Sequence, residues 1–190
     1  MLCRLTTIYS LSISSCPELR SLDGLELLPS LNFLHILSCP KLAEAGQLNF
    51  DATMQGKSMS FSYLSIDDTS LLKLSFLRNF LSSHAVLTIH RSSEPTMFVG
   101  EDEEWLQILA SVERLSFDRC PTMKSFPTWL HGLTSLQYLS IKKCLEINSL
   151  PEKGLPPSLR ELSFHECHPM LKEQLEKLKA ENSRIYIVGI

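Results

Sequence analysis

The chain has 190 residues, of which 44% are hydrophobic and 21% charged, a balance typical of one soluble globular domain. Its net charge of −3 and sequence pI near 6.1 offer no basic surface to a phosphate backbone, so a nucleic-acid partner is not expected. The sequence has no run of about 20 apolar residues, so membrane insertion is not expected either.

One template, LxxLxIxxC, recurs along the chain roughly every 23 to 30 residues. Five copies match it well, and they begin at Ile8, Leu31, Val112, Leu136 and Leu159. Weaker copies fill the gaps and begin at Phe61 and His84, and the pair Ile185 and Ile187 closes the chain. The first copy could also be interpreted as a weak signal peptide, but its apolar residues keep the register of the later copies.

Each copy predicts a short strand with one buried face. Leu139 and Ile141 lie two residues apart and point to one side, whereas Ser140 between them points to the other. The predicted strands lie near 8–13, 31–36, 61–66, 84–89, 112–117, 136–141 and 159–164. Because one repeat cannot bury its apolar face alone, neighbouring strands should stack into a parallel sheet.

The fold expected from this pattern is an α/β solenoid, a leucine-rich-repeat horseshoe. Its parallel β-sheet would form the concave face, and short helices, turns and loops would form the convex face. Residues 1–168 are assigned to the repeats, and residues 169–190 to a C-terminal capping helix and a final strand. The helix is predicted from the spacing of Leu171, Leu175 and Leu178.

Two longer connections carry helical spacing of their own. Leucines recur from Leu71 to Leu81, and a second apolar series runs from Trp105 to Val112 after a predicted N-cap at Asp102. We expect a short helix in each of these segments.

Five of the six cysteines occupy the same template position: Cys16, Cys39, Cys120, Cys144 and Cys167. A repeated small side chain with a weak donor is better explained by a structural ladder, in which each thiol bonds a turn carbonyl, than by disulfides. The segment from His165 to His168 holds three types of metal ligand, but it lacks the ligand spacing of a zinc site. We therefore expect neither a metal nor a cofactor.

The sequence also lacks the common catalytic motifs, including a nucleophile elbow, a zinc-protease helix and a phosphate-binding loop. An enzyme is therefore not expected.

Stacking of the strands would align equivalent exposed positions into columns across the sheet. The residues singled out as a protein-binding surface are Phe33, Tyr63, His90, Arg114, Asp118, Arg119, Tyr138, Lys142, His165 and Arg184. Aromatic residues and arginines of this kind are enriched at binding hot spots. An equally weighted alternative is that exposed strand positions are polar simply because they face water.

The strings LPSLNFLHILSCPKL (28–42), FPTWLHGLTSLQYLSIKKC (126–144) and LPPSLRELSFHEC (155–167) mix LPxxL before the strand, as in LPPSL (155–159), with CPxL after it, as in CPKL (39–42). In these features the chain resembles the repeat region of plant coiled-coil nucleotide-binding leucine-rich-repeat disease-resistance proteins. The resemblance covers nearly the whole chain.

The resemblance implies a cytoplasmic module that binds a pathogen effector or a host protein on its concave face. It also implies contact with the nucleotide-binding domain of the same or a related receptor, which the repeats restrain. The chain itself carries no nucleotide-binding motif. The alternative is a repeat-type adaptor that holds the substrate of a ubiquitin ligase, which a recruiting helix upstream of the repeats would favour.

Overall fold

The computed structural model describes residues 7–25, 28–45, 61–74, 77, 81–91, 102–181 and 184–189. Within these residues, eight strands form one sheet, and each strand pairs in parallel with the next strand along the chain. The strands are β1 (Ser10–Ser14), β2 (Phe33–Leu37), β3 (Phe61–Ile66), β4 (Leu81–His90), β5 (Val112–Asp118), β6 (Tyr138–Lys142), β7 (Glu161–His165) and β8 (Tyr186–Val188). The parallel sheet expected from the repeated template is confirmed.

The second and third apolar positions of the template line up across the sheet and form its core face. Leu115 pairs with Leu139 and Phe117 pairs with Ile141, and all four side chains are almost fully buried. In the edge strand β1, by contrast, Leu11 is only partly buried. One uniform set of aliphatic and aromatic side chains thus holds the successive strands together.

Several strands begin two residues later than predicted, because the first apolar position of the template precedes the strand. Leu136 is fully buried, but its carbonyl accepts a hydrogen bond from Ser158 Oγ at 2.7 Å rather than from a strand amide. The chain therefore places Leu136 in the core from the connection, and the regular strand starts at Tyr138.

Short helices lie in the connections. The α-helices are α1 (Pro40–Ala45), α2 (Asp102–Ile108) and α3 (Pro169–Glu181), and 3-10 helices span Thr69–Lys73 and Thr128–Gly132. In α3, Leu171 and Leu175 are buried, and Gln174 anchors the helix to the preceding connection. Its amide nitrogen donates to the Asn148 carbonyl and its oxygen accepts from the Leu150 amide, both at 3.0 Å. None of the described helices combines the length and the apolar character needed to cross a membrane.

Of the helix expected from Leu71 to Leu81, the structure describes a 3-10 helix over Thr69–Lys73 and a helical Leu77, and residues 75–76 and 78–80 lie outside the described residues. The predicted end of the helix at Leu81 is wrong. The 3-10 helix is capped by Asp68, whose carboxylate accepts from the Ser70 amide at 2.9 Å, and it ends where Leu74 becomes extended. Leu81 already belongs to β4, which runs for ten residues. Leucines spaced three or four residues apart also occur where a helical turn is followed by a buried strand. The spacing alone therefore could not show where the helical segment ends and β4 begins.

The second predicted helix is α2, and it begins with Asp102 as its first helical residue rather than as its N-cap. The helix ends at Ile108, and Val112 begins β5, in agreement with the strand predicted at 112–117.

Candidate functional site

The face of the sheet opposite the core, which we call the open face, carries three columns of side chains. The first column contains Ser10, Phe33, Tyr63, Val86, Arg114, Tyr138, Glu161 and Tyr186. The floor column contains Ser12, His35, Ser65, Thr88, Ser116, Ser140, Ser163 and Val188. The rim column contains Ser14, Leu37, His90, Asp118, Lys142 and His165. Ten residues were predicted from the sequence to form a protein-binding surface. Nine of them lie in these columns or directly beside them, and the tenth is Arg184.

With Ile185 at the second apolar position of the template, Arg184 would lie in the first column, but the structure does not place it there. Tyr186 pairs with Glu161 and Ile187 pairs with Leu162, so the last strand is shifted by two residues from the predicted register. A shift of two keeps every side chain on its own face, and the apolar alternation of the sequence cannot distinguish the two registers. Arg184 lies before β8, next to Arg160 and Gln137 at the edge of the sheet where the strands begin.

Aromatic rings cluster at the first three strands. Phe33 lies between Tyr9 and Tyr63, with ring centroids 5.3 and 5.6 Å away, and Tyr63 also packs against His35 at 5.3 Å. Asn32 fixes Tyr9 by donating from Nδ2 to its hydroxyl oxygen at 2.7 Å. These four rings, Tyr9, Phe33, His35 and Tyr63, form what we call the aromatic cluster. Their separations are those of favourable tilted contacts.

The floor column contains a residue that solvent does not reach. Ser65 is fully buried, and its hydroxyl has no hydrogen-bond partner among the described residues. Burial, followed by the nearby His90, lowers the pKa of His35. Ser65 is therefore shielded from water, and the burial of His35 together with the nearby His90 favours the neutral form of His35.

A buried carboxylate marks the middle of the open face. Asp118 Oδ2 lies 3.0 Å from His90 Nδ1, and Asp118 Oδ1 lies 3.5 Å from Arg119 Nε. Asp118 was expected to be an exposed contact residue, but it is only 6% exposed. Because His90 and Arg119 flank its carboxylate, Asp118 positions these two side chains and presents little surface of its own to a partner.

The last strands carry a different surface. The Arg114 guanidinium stacks on the Tyr138 ring, with 3.7 Å from Cζ to the ring centroid. Ser116, Ser140 and Ser163 lie side by side in register, and the exposed Lys142 follows on the rim. We call this set, Arg114, Tyr138, Lys142 and the three serines, the cationic groove.

Six non-glycine residues just beyond the strand ends adopt left-handed backbone angles, with φ between 42° and 56°: Ser15, Ser38, Arg91, Arg119, Lys143 and Glu166. This conformation turns the chain away from the sheet while the amide still reaches the next strand. Arg119 N donates to the Lys142 carbonyl and Lys143 N donates to the His165 carbonyl, both at 2.8 Å. The same turn places charged side chains beside the rim column. Nothing in the composition of these six residues predicts this conformation.

The ladder of free thiols expected from the template is confirmed, but the acceptors are strand carbonyls rather than the turn carbonyls that were predicted. Cys120, Cys144 and Cys167 each approach the carbonyl of the preceding strand, which belongs to Ile89, Phe117 and Ile141, with Sγ to O distances of 3.7, 3.6 and 3.5 Å. The five described cysteines are free thiols, and Cys3 lies outside the described residues. A side-chain hydrogen bond from Cys120 lowers the pKa of Cys144.

The structure therefore separates the singled-out residues into small groups. Phe33 and Tyr63 belong to the aromatic cluster, His90, Asp118 and Arg119 form one ionic group, and Arg114, Tyr138 and Lys142 belong to the cationic groove. His165 is exposed on the rim, 3.5 Å from a Glu166 carboxylate oxygen that also pairs with Lys143.

Two residues of the aromatic cluster, Tyr9 and His35, were not singled out from the sequence. Tyr9 precedes the observed β1, and the columns considered from the sequence began one residue later, at the template position of Ser10. His35 occupies the floor column, which otherwise contains mostly small hydroxyl side chains.

No grouping of three or more potential metal ligands occurs in the part of the chain that the structure describes. No protein-family model matches the chain, and searches of curated proteins and of solved structures also found no match.

Proposed function

We propose that this chain is a leucine-rich-repeat recognition module of a plant disease-resistance receptor. In this proposal the open face is the concave face of an α/β solenoid, and it binds a pathogen effector or a host protein. The observation that carries the proposal is the register of the sheet, which aligns equivalent template positions into columns across successive strands. The three sequence strings that resemble the repeats of such receptors supply the family assignment.

The physical argument for recognition rests on the separation of the two faces. The core face uses the same few apolar residue types in each unit, so substitutions there are constrained by packing. The open face carries Tyr, Phe and Arg side chains on a parallel sheet, and these residue types are enriched at protein interfaces. A varied surface of this kind suits protein binding better than catalysis.

The cytoplasmic location is part of the same proposal. Cysteines that serve as free thiols are expected in a reducing compartment, and the ladder uses them as hydrogen-bond donors rather than as cross-links. The chain would also contact a nucleotide-binding domain and favour its inhibited state. A ligand with higher affinity for the released state would then shift the population toward activation.

Site-specific photo-crosslinking tests the recognition role. A photoreactive phenylalanine analogue would replace Tyr138 on the open face or, as a matched control, Lys172 on the exposed side of α3. In leaf cells we expect one defined protein to be cross-linked through position 138, and not through position 172. Equal cross-linking from both positions would contradict recognition by the open face.

Co-expression tests the restraining role separately. The chain would be expressed with a constitutively active nucleotide-binding region of a coiled-coil receptor from which the repeats have been removed. We expect the chain to reduce the cell-death response in leaves, and a variant unfolded by Leu139→Asp to lose this effect. An unchanged response with the folded chain would argue against restraint but not against ligand recognition.

A further inference from the structure

We propose that the cationic groove binds an acidic protein segment, whose carboxylates contact Arg114 at one end and Lys142 at the other. The inference rests on the proposed function and adds the chemical class of the ligand. It places the ligand on β5 and β6, with Ser140 beneath it.

The Arg114 guanidinium is oriented so that it can bind a carboxylate. Its guanidinium lies over the Tyr138 ring and pairs with none of the described carboxylates. Stacking fixes the plane of the guanidinium and leaves its N–H edges free, and this is the geometry in which arginine binds a carboxylate through two parallel hydrogen bonds.

Lys142 differs from the cations around it. Arg119 lies 3.5 Å from Asp118, and Lys143 lies 3.3 Å from Glu166, so these two charges are already balanced. Lys142 is exposed and forms no ion pair within the described ranges. The groove therefore has an unbalanced positive charge at each end, although the whole chain carries a net charge of −3.

The floor between the two cations offers further donors. Ser116, Ser140 and Ser163 are neighbours in register, and their hydroxyls hydrogen-bond to none of the described residues. Each hydroxyl can donate to a carboxylate or to a backbone carbonyl of a bound segment. Glu161 stands beside Tyr138 on β7 and would repel an acidic ligand, so it limits the groove on that side.

The distance between the cations sets a minimum ligand length. Tyr138, which carries the Arg114 stack, and Lys142 lie four residues apart on one strand, or about 13 Å at the rise of a β-strand. An extended segment needs about five residues to place a carboxylate at each end. A free glutamate cannot engage both ends.

Nucleic acid is the less favoured ligand. Single strands bind through stacking of bases on exposed aromatic rings, and one face of Tyr138 is covered by Arg114. Two unbalanced cations are also few for a phosphate backbone, since binding of nucleic acid uses several such contacts.

Fluorescence anisotropy with labelled octaglutamate, at low salt, tests the inference. We expect the wild-type chain to bind this probe, and Arg114→Gln and Lys142→Gln each to weaken binding at least tenfold. Lys172→Gln, on the exposed side of α3, should change the affinity less than twofold and serves as the matched control. Both groove side chains are exposed, so the variants should keep the circular dichroism spectrum of the wild type.

A length series sharpens the test. Affinity should rise steeply between triglutamate and hexaglutamate, because only the longer peptide spans both cations. No binding of octaglutamate, an equal loss in Lys172→Gln, or tighter binding of a thymidine decanucleotide would each overturn the inference. If octaglutamate does not bind while photo-crosslinking through position 138 still captures a defined protein, the acidic ligand is refuted and the recognition role is not.

Discussion

The two ends of the open face follow the same sequence template but carry different types of side chain. At β1–β3 the exposed positions carry rings that pack against one another, with Phe33 in contact with both Tyr9 and Tyr63. At β5–β7 the same columns carry serine hydroxyls and cations, including Lys142, that form no hydrogen bond or ion pair with a side chain in the part of the chain that the structure describes. The core face beneath is the same in both regions, because Leu34 and Leu139 are equally buried. The template thus requires apolar residues on the core face of each strand, whereas the residue types on the open face differ from one region to the other.

The core face should respond identically in the two regions, and this is the largest expected effect. Leu34→Asp and Leu139→Asp each place a charge in the core, and we expect each to lower the free energy of unfolding by at least about 4 kcal/mol. Because neighbouring units depend on each other, the loss should spread beyond the altered strand. Thermal melts followed by circular dichroism measure it.

Lys142→Ala is the control for this pair, since its side chain is exposed. It should melt within a few degrees of the wild type. Equal melting points for Leu139→Asp and Lys142→Ala would contradict the assignment of the two faces.

The ionic group between the two regions should have an intermediate effect. Asp118→Ala leaves His90 and Arg119 without their carboxylate, and we expect a loss of about 2 kcal/mol in urea denaturation. Glu166→Ala breaks the exposed contact with Lys143 and should cost less than about 0.5 kcal/mol. If the two variants proved equally stable, the buried carboxylate would not be a structural centre of the open face.

The aromatic cluster should contribute more to stability than the Arg114 stack. Tyr63→Ala removes two ring contacts, with Phe33 and His35, whereas Tyr138→Ala removes one exposed cation–π contact. We expect Tyr63→Ala to be the more destabilising by about 1 kcal/mol. The opposite order in denaturant titrations would show that the first strands do not hold the tighter cluster.

The smallest effect concerns pH. Burial and the nearby His90 lower the pKa of His35 below its ordinary value of 6.5, so the folded chain binds a proton less readily than the unfolded chain. The stability that neutral His35 contributes is therefore present above pH 6.5 and is lost as the pH falls through its lowered pKa. His35→Gln should flatten this part of the curve of stability against pH. An unchanged slope would rule out His35 as its source.

The sequence predicted the elements that depend on local alternation. Leu139, Ile141 and Ser140 were assigned to their faces, and the thiol ladder was predicted, because each depends only on the position of a residue within its template copy. The register of β8 and the start of β4 were not predicted. A two-residue shift and a change from helical turn to strand both preserve the apolar spacing, and only packing against neighbours decides between them.

The side-chain contacts of the open face were harder to predict from the sequence than the fold. Column positions identified Arg114 and Tyr138 but could not show that they stack. The Asp118 carboxylate contacts His90 and Arg119, and these three residues come together through strand pairing and a left-handed turn. Tyr9 joins the aromatic cluster from outside the strand. Contacts of this kind depend on side-chain conformation across strands, which no single template copy encodes.

The register of the open face is the central claim, and backbone nuclear Overhauser effects across the strands test it most directly. In a deuterated, nitrogen-15-labelled chain, we predict contacts from the strand segment around Ser140 to those around Ser116 and Ser163, and from Tyr186 to Glu161. This pattern would establish the columns on which the aromatic cluster and the cationic groove depend. Contacts that place Arg184 opposite Glu161, or that shift Ser140 from its two neighbours, would contradict it.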